Sequence, residues 1–139
     1  MDLTMMEIQY TLEPGLAACE FRSLLIASTL GERRPVEDIE RLDRMLRAAD
    51  LIVTARDGER LVGISRAITD FSFCCYLSDL AVDVAYQRRG IGKRLIEETQ
   101  RAAGDRATLI LTAAPAAEGY YPKIGMKHQP NCWTIPRKL

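Results

Sequence analysis

One histidine, His128, and one tryptophan, Trp133, are the whole of the chain's imidazole and indole content, and aromatic residues make up only 6% of its 139 positions. A single imidazole cannot build a histidine-rich metal site. The four cysteines, Cys19, Cys74, Cys75 and Cys132, contain an adjacent pair but no Cys-x-x-Cys spacing, so with His128 they make neither a zinc ligand set nor a dithiol redox motif. They read as buried free thiols, and no metal is expected. Charge of one sign is missing as well. Lysine plus arginine number 19, aspartate plus glutamate 19, and the pI is near 6.6, so no overall field draws in nucleic acid or an anionic membrane. No apolar run approaches the roughly 20 residues that span a bilayer, and the start of the chain lacks the basic-then-apolar order of a signal peptide. A cytoplasmic protein without nucleic-acid or membrane partners is expected. Repeats, low-complexity stretches and linkers are absent too, and the length suits one domain over residues 1–139.

What is present is organised by periodicity. Met6 to Leu12 alternates as a first strand and ends at Glu13-Pro14-Gly15. Leu16 to Thr29 reads as a helix stopped by Gly31, and a second helix is expected from Pro35, with Val36, Ile39, Leu42, Met45 and Leu46 at three- and four-residue steps. Leu51 to Arg56, Arg60 to Thr69 and Phe73 to Val84 carry the β-branched and aromatic residues of strands, with Asp57-Gly58 as a hairpin turn. Ile91, Leu95, Ile96 and Thr99 mark one face of a helix that closes at Gly104, and Ala107 to Thr112 is a compact apolar strand. Strand, crossover helix and returning strand imply a parallel pair. A short helix is expected over residues 116–124 and a last strand over His128 to Ile135.

The densest chemistry lies at Gln87-Arg88-Arg89-Gly90-Ile91-Gly92-Lys93-Arg94, where a strand turns into a helix. Glycines let a backbone approach an anion closely, several N–H groups then point outward, and the positive end of the helix dipole faces the same spot. A Rossmann fingerprint would need a third glycine where Leu95 stands, and a Walker loop would need Ser or Thr where Arg94 stands. A helix start ordinarily favours acidic residues. Four cations here oppose the dipole, which implies that an anion is received between them.

Two motifs together resemble the GNAT N-acetyltransferase superfamily. Leu80-Ala81-Val82-Asp83-Val84 running into Gln87-Arg88-Arg89-Gly90-Ile91-Gly92-Lys93 is similar to the family's acetyl-CoA strand and its Q/R-x-x-G-x-G/A pyrophosphate loop. Tyr120-Tyr121-Pro122-Lys123-Ile124-Gly125-Met126 is similar to its late F-Y-x-K-x-G-F segment. The resemblance implies an α/β fold of the α+β kind: a mixed, mostly antiparallel sheet flanked by helices on both faces, with a splayed parallel strand pair at the cofactor cleft. It also implies acetyl-CoA as cosubstrate, gripped by Gln87, Arg88, Arg89, Gly90, Ile91, Gly92 and Lys93. The main chain of Leu80, Ala81 and Val82 would run beside the pantetheine arm, with the Val82 N–H as oxyanion donor and Leu109 to Thr112 as the diverging partner. The chain departs from the family at Ala114, where many members place an asparagine, and at Pro122 after the key tyrosine.

The activity so implied is transfer of an acetyl group to a small-molecule or peptide amine by direct attack in a ternary complex. The alternative is a non-catalytic acyl-CoA-binding sensor, which needs the loop but no catalytic groups. Tyr121 is the expected general acid toward the leaving thiolate, since a phenol keeps its proton at neutral pH; Tyr120 is its rival. For the base, Asp79 stands first among Asp79, Tyr76, Ser78 and Glu118, while His128 has no partner in sequence. Arg33 and Arg34, between the first two helices, are candidates to hold an acceptor carboxylate or phosphate. The late strands leave an edge on which two copies could pair as a homodimer.

Overall fold

The computed structural model describes residues 7–139, so Met6 of the expected first strand lies outside the described residues. The elements run β1 (Ile8–Leu12), α1 (Ala18–Ala27), β2 and β3 (Leu51–Asp57 and Arg60–Thr69) after α2 (Ile39–Ala48), then β4 (Cys74–Val82), α3 (Ile91–Ala103), β5 (Thr108–Ile110) and α4 (Tyr120–Lys123). Short 3-10 turns occupy Leu30–Arg33, Val84–Tyr86 and Pro115–Ala117. The strands form one sheet in chain order, antiparallel throughout except for the parallel pair β4 and β5. The expected mixed sheet with helices on both faces is what the chain adopts.

Strand alternation divides the apolar residues between two cores. On one face Phe21, Leu24 and Leu25 of α1 and Leu42 and Leu46 of α2 close over Ile52, Ile64 and Ala81. On the other, Ile91 and Leu95 of α3 meet Val53, Ala55 and Val62. Gly63 of β3 allows this second contact to be close: a Cβ there would stand 3.0 Å from Leu95 Cδ1 and 3.2 Å from Ile91 Cγ2. One turn deeper, the buried Ser65 and Thr99 hydroxyls lie 2.6 Å apart, and Thr99 also donates to the Leu95 carbonyl at 2.7 Å. These contacts seat the first turn of α3 beside the end of β4.

Several boundaries differ from the sequence expectation, each for a local reason. The second helix begins at Ile39, not Pro35, because the Asp38 carboxylate accepts the Arg41 N–H at 3.1 Å and so fixes the start. The expected helix over 116–124 is split into the turn Pro115–Ala117 and the four-residue α4, since Pro122 supplies no backbone donor and Gly125, at φ 90°, ends the turn. The expected strand over His128 to Ile135 does not form: β5 is only three residues long, and Trp133 and Ile135 are 89% and 98% exposed, with no sheet face to bury them. Of the cysteines only Cys75 is buried; Cys19, Cys74 and Cys132 are exposed free thiols, because the positions they occupy face solvent on α1, the edge of β4 and the C-terminal segment.

Because α3 rests directly on Gly63, Gly63→Val should lower stability by about 1–3 kcal/mol through overpacking. Urea unfolding would show this as a lower midpoint with an unchanged slope.

Candidate active site

The parallel pairing of β4 with β5 covers only Cys74, Cys75 and Tyr76 against Thr108, Leu109 and Ile110. Beyond Tyr76, β4 runs on to Val82 with its other edge still paired to β3, while β5 turns away. The Asp83 N–H donates to Val62 in β3 at 2.9 Å, so alternation turns the N–H and C=O of Val82 and Leu80 toward the opposite, open edge, until a register shift opposite Arg66 and Ala67 leaves Ser78 as an extra residue in the strand. A cleft of about 620 Å³ fills the gap. Leu77, Ser78, Leu80, Ala81 and Val82 form one wall, Leu111, Thr112 and residues 114–117 the other.

At the end of β4 the glycine loop is held from beneath. Asp83 accepts the Ala85 N–H at 2.9 Å and Arg60 Nη2 at 3.0 Å, and the Tyr86 hydroxyl donates to Asp57 at 2.6 Å. The Arg60 and Arg89 guanidinium groups lie 5.0 and 5.4 Å from the Tyr86 ring centre. Gln87 reaches back and donates to the Val82 carbonyl at 3.0 Å, tying the loop to the open edge. Arg88 at φ 66° and Gly90 at φ 80° are both left-handed, which swings the loop into the first turn of α3. No acidic residue occupies that turn, and Arg88, Arg89 and Lys93 are exposed around it. Gly92 is the tight point: a Cβ there would meet the Tyr120 hydroxyl oxygen at 3.1 Å. The arrangement fits a pyrophosphate, with open N–H groups, no acidic side chain and local cations.

The two late tyrosines take different positions. Their rings meet edge to face, with centres 5.3 Å apart. Tyr120 lies against the start of α3, where its hydroxyl accepts the Lys93 N–H; burial pushes its pKa up and that hydrogen bond opposes the shift. Tyr121 lines the cleft together with Leu80, Val82 and Gln87. Its phenol is pushed above the ordinary value of 10.0, first by burial and then by the neighbouring Tyr120.

Asp79, foremost of the candidate bases, is fully buried and is not among the residues lining the cleft. One carboxylate oxygen accepts Arg34 Nε at 2.5 Å and the other pairs with Arg66 Nε. Arg34 also donates to the Ser78 carbonyl at 2.9 Å and the Arg33 carbonyl at 2.8 Å, while Arg66 reaches Ser78 Oγ at 3.0 Å and the Met45 carbonyl at 3.3 Å. With both oxygens held in ion pairs, Asp79 anchors the segments that carry the two arginines. The anchor fastens the segment between α1 and α2 to β4 at the point where β5 departs. Thr29, at φ 70°, bends the chain into this segment, and Gly31 lets it press on α1, since a Cβ there would stand 3.1 Å from the Leu25 carbonyl.

Sequence reading brought together the loop, the β4 wall and Tyr121. It did not find the Arg34, Asp79 and Arg66 cluster, in which Asp79 lies 45 residues from Arg34 and 13 from Arg66, nor the Tyr86 support. The only sequence signal for the cluster was an aspartate inside an apolar strand pattern, where an unpaired charge is not tolerated.

The chain matches the Acetyltransferase (GNAT) domain family over residues 30–131. It is 33% identical over 82 residues to the chloroplastic GCN5-related N-acetyltransferase 2 of Arabidopsis thaliana, a match covering 54% of this chain and 32% of that one; the chain thus spans about a third of the length of that relative. Among solved structures it resembles a GNAT-family acetyltransferase from Streptococcus pneumoniae, with TM-score 0.73, 23% identity, and 94% and 97% of the two chains covered. It also resembles an aminoglycoside N-acetyltransferase in complex with CoA, with TM-score 0.75, 14% identity and full coverage of both chains. At such identities the structural likeness speaks for the fold.

Removing Asp79 would leave the buried Arg66 without a counterion. Asp79→Ala should therefore destabilise by about 3–5 kcal/mol in urea unfolding at neutral pH, several times the effect of an ordinary surface substitution.

Proposed function

This chain belongs to the GNAT acetyltransferase family, and on that footing we propose that it transfers an acetyl group from acetyl-CoA to a primary amine by direct attack within a ternary complex in the cytoplasm. The observation that carries this reading is the parting of β4 from β5. It leaves the main chain of Leu80 and Val82 open along one wall of a cleft that also holds Tyr121 and adjoins the glycine loop.

Each residue has a physical task in this scheme. The N–H groups from Arg88 to Gly92, with the cations beside them, receive the pyrophosphate. An extended pantetheine arm satisfies the main-chain groups of Leu80 as an added strand would, while the Val82 carbonyl stays with Gln87. Amine attack on the thioester carbon forms a C–N bond and places negative charge on the carbonyl oxygen, where the Val82 N–H donates a hydrogen bond. Collapse of that intermediate breaks the C–S bond, and Tyr121 donates to the departing thiolate. The amine attacks in its neutral form, the extra proton left on its nitrogen after attack passes to solvent water, and solvent returns a proton to the Tyr121 phenolate; Asp79 serves as the anchor of the cleft wall. Ala114 supplies no side-chain hydrogen bond to the pantetheine, so its grip falls more heavily on the β4 main chain.

Calorimetric titration with acetyl-CoA should give saturable one-site binding that Gly92→Glu abolishes, because the added side chain meets Tyr120 and brings negative charge to the anion cradle. Absence of binding to the native chain would overturn the reading. With a reactive amine, Tyr121→Phe should lower kcat by about a hundredfold or more while acetyl-CoA affinity is retained. The raised pKa of Tyr121 sets the sign of a pH effect. Its proton is held throughout the neutral range and lost only above 10.0, so the alkaline fall in kcat that belongs to Tyr121 should lie above that value in the native enzyme and vanish in Tyr121→Phe.

A further inference from the structure

The cleft has a second arm, whose charge is unlike that of a site for polyamines. Residues 28–34, between α1 and α2, line it on the sheet face opposite α3. The glycine loop approaches from the α3 side, so an acceptor reaches the thioester through the gap from the side of residues 28–34. The charged residues lining the cleft are Glu32, Arg33 and Arg34. Behind them Asp79 is shared between two arginines, so two guanidinium charges face one carboxylate and one positive charge is uncompensated. That excess is poorly screened, since the side chains of Arg66, Arg34 and Asp79 are 8%, 22% and 0% exposed.

Arg34 has donors to spare. A guanidinium carries five N–H groups. Arg34 uses Nε on Asp79, one hydrogen of Nη1 on the Arg33 carbonyl and one of Nη2 on the Ser78 carbonyl. Two N–H groups remain on a side chain that lines the cleft. Arg33 is exposed beside it and makes no ion pair among the described residues, and neither does Glu32. A partly buried cation with unused donors at a cleft wall is balanced when a ligand supplies the missing anion.

We propose that the acceptor amine carries an anionic group, a carboxylate or a phosphate, which Arg33 and Arg34 hold on the acceptor side of the cleft. The inference rests on the acetyltransferase reading above and names the class of its acceptor. Arg34 is at once a strut of the cleft and a ligand-binding group, because the same planar fork serves Asp79 and Ser78 on one side and the acceptor on the other. Glu32 is the local opposing charge and weakens the anion's hold.

Two measurements test this separately from the acetyltransferase reading. The first is calorimetric titration of the protein, saturated with CoA to occupy the loop, with inorganic phosphate at low ionic strength. Saturable one-site binding is expected, weakened several-fold by Arg33→Gln and strengthened by Glu32→Gln. The second follows thiol release from acetyl-CoA with matched amines: L-phenylalanine against L-phenylalaninamide, O-phosphoethanolamine against ethanolamine, and spermidine as a polycation. One anionic amine should exceed its neutral partner by about tenfold or more in kcat/KM, mainly through KM, as a charge-assisted pair supplies. The better of the two pairs separates a carboxylate from a phosphate. In Arg33→Gln the ratio should fall toward one; Arg34→Gln should do the same if its thermal unfolding shows that it still folds, and Arg33→Gln alone decides if it does not. Preference for the neutral partners or for spermidine, with no phosphate binding, would overturn the inference and leave the acetyltransferase reading intact. Phosphate binding without thiol release from any amine would support the anion site and count against the acetyltransferase reading.

Discussion

Seven residues of β4 are paired with β3 along one edge, and only three with β5 along the other. Peptide groups cannot be left without partners at a buried edge, so the stretch from Leu77 to Val82 must find hydrogen bonds in water, in side chains or in a ligand. The neighbouring structure is arranged around that need. Arg34 satisfies the Ser78 carbonyl at the vertex, Gln87 satisfies the Val82 carbonyl at the far end, and the groups between them stay open to the cleft. Two short side-chain contacts thereby define how much edge a ligand can use.

The vertex is also where charge is concentrated. A carboxylate fully buried between two guanidinium groups is tolerable only because both its oxygens are engaged, and its removal would strand Arg66. The cluster joins β3, β4 and the segment after α1, with a further bond from Arg66 to the end of α2. It therefore fixes the wall of the cleft formed by residues 28–34, while the second core fixes the glycine loop, where α3 sits on Gly63. The two contacts themselves differ in kind: ion pairs and hydrogen bonds at Asp79, apolar packing at Gly63. The first should respond to charge substitutions and the second to changes in volume.

Much of this was legible from sequence where the signal is local. The strands β2 to β4, a hairpin turn at Gly58 (formed by Gly58-Glu59, one residue later than the expected Asp57-Gly58) and the amphipathic α3 follow from periodicity over a few residues. The glycine loop follows from the φ freedom of Gly90 and from cations where a helix start disfavours them. The errors came where the outcome depends on what lies across the fold. His128 to Ile135 has strand composition but no neighbour to pair with, and β5 is too short to offer one. Cys19, Cys74 and Cys132 have a buried residue's chemistry at exposed positions. Asp79 looked like a reactive carboxylate because both of its partners are distant in the chain, Arg34 by 45 residues and Arg66 by 13.

Order of elements, sheet type, the family and the position of the glycine loop were determined by the sequence itself, since each rests on residue types whose backbone preferences and polarity act over one turn or one strand. Tertiary structure alone decided that Tyr121 and not Tyr120 lines the cleft, that Asp79 is held between two arginines, and that a positive charge is left over beside the cleft. Those outcomes depend on burial and on pairing between remote side chains. Electrostatic energy in a protein is set by which charges come within a few ångströms of one another out of water, and only the folded chain brings them there.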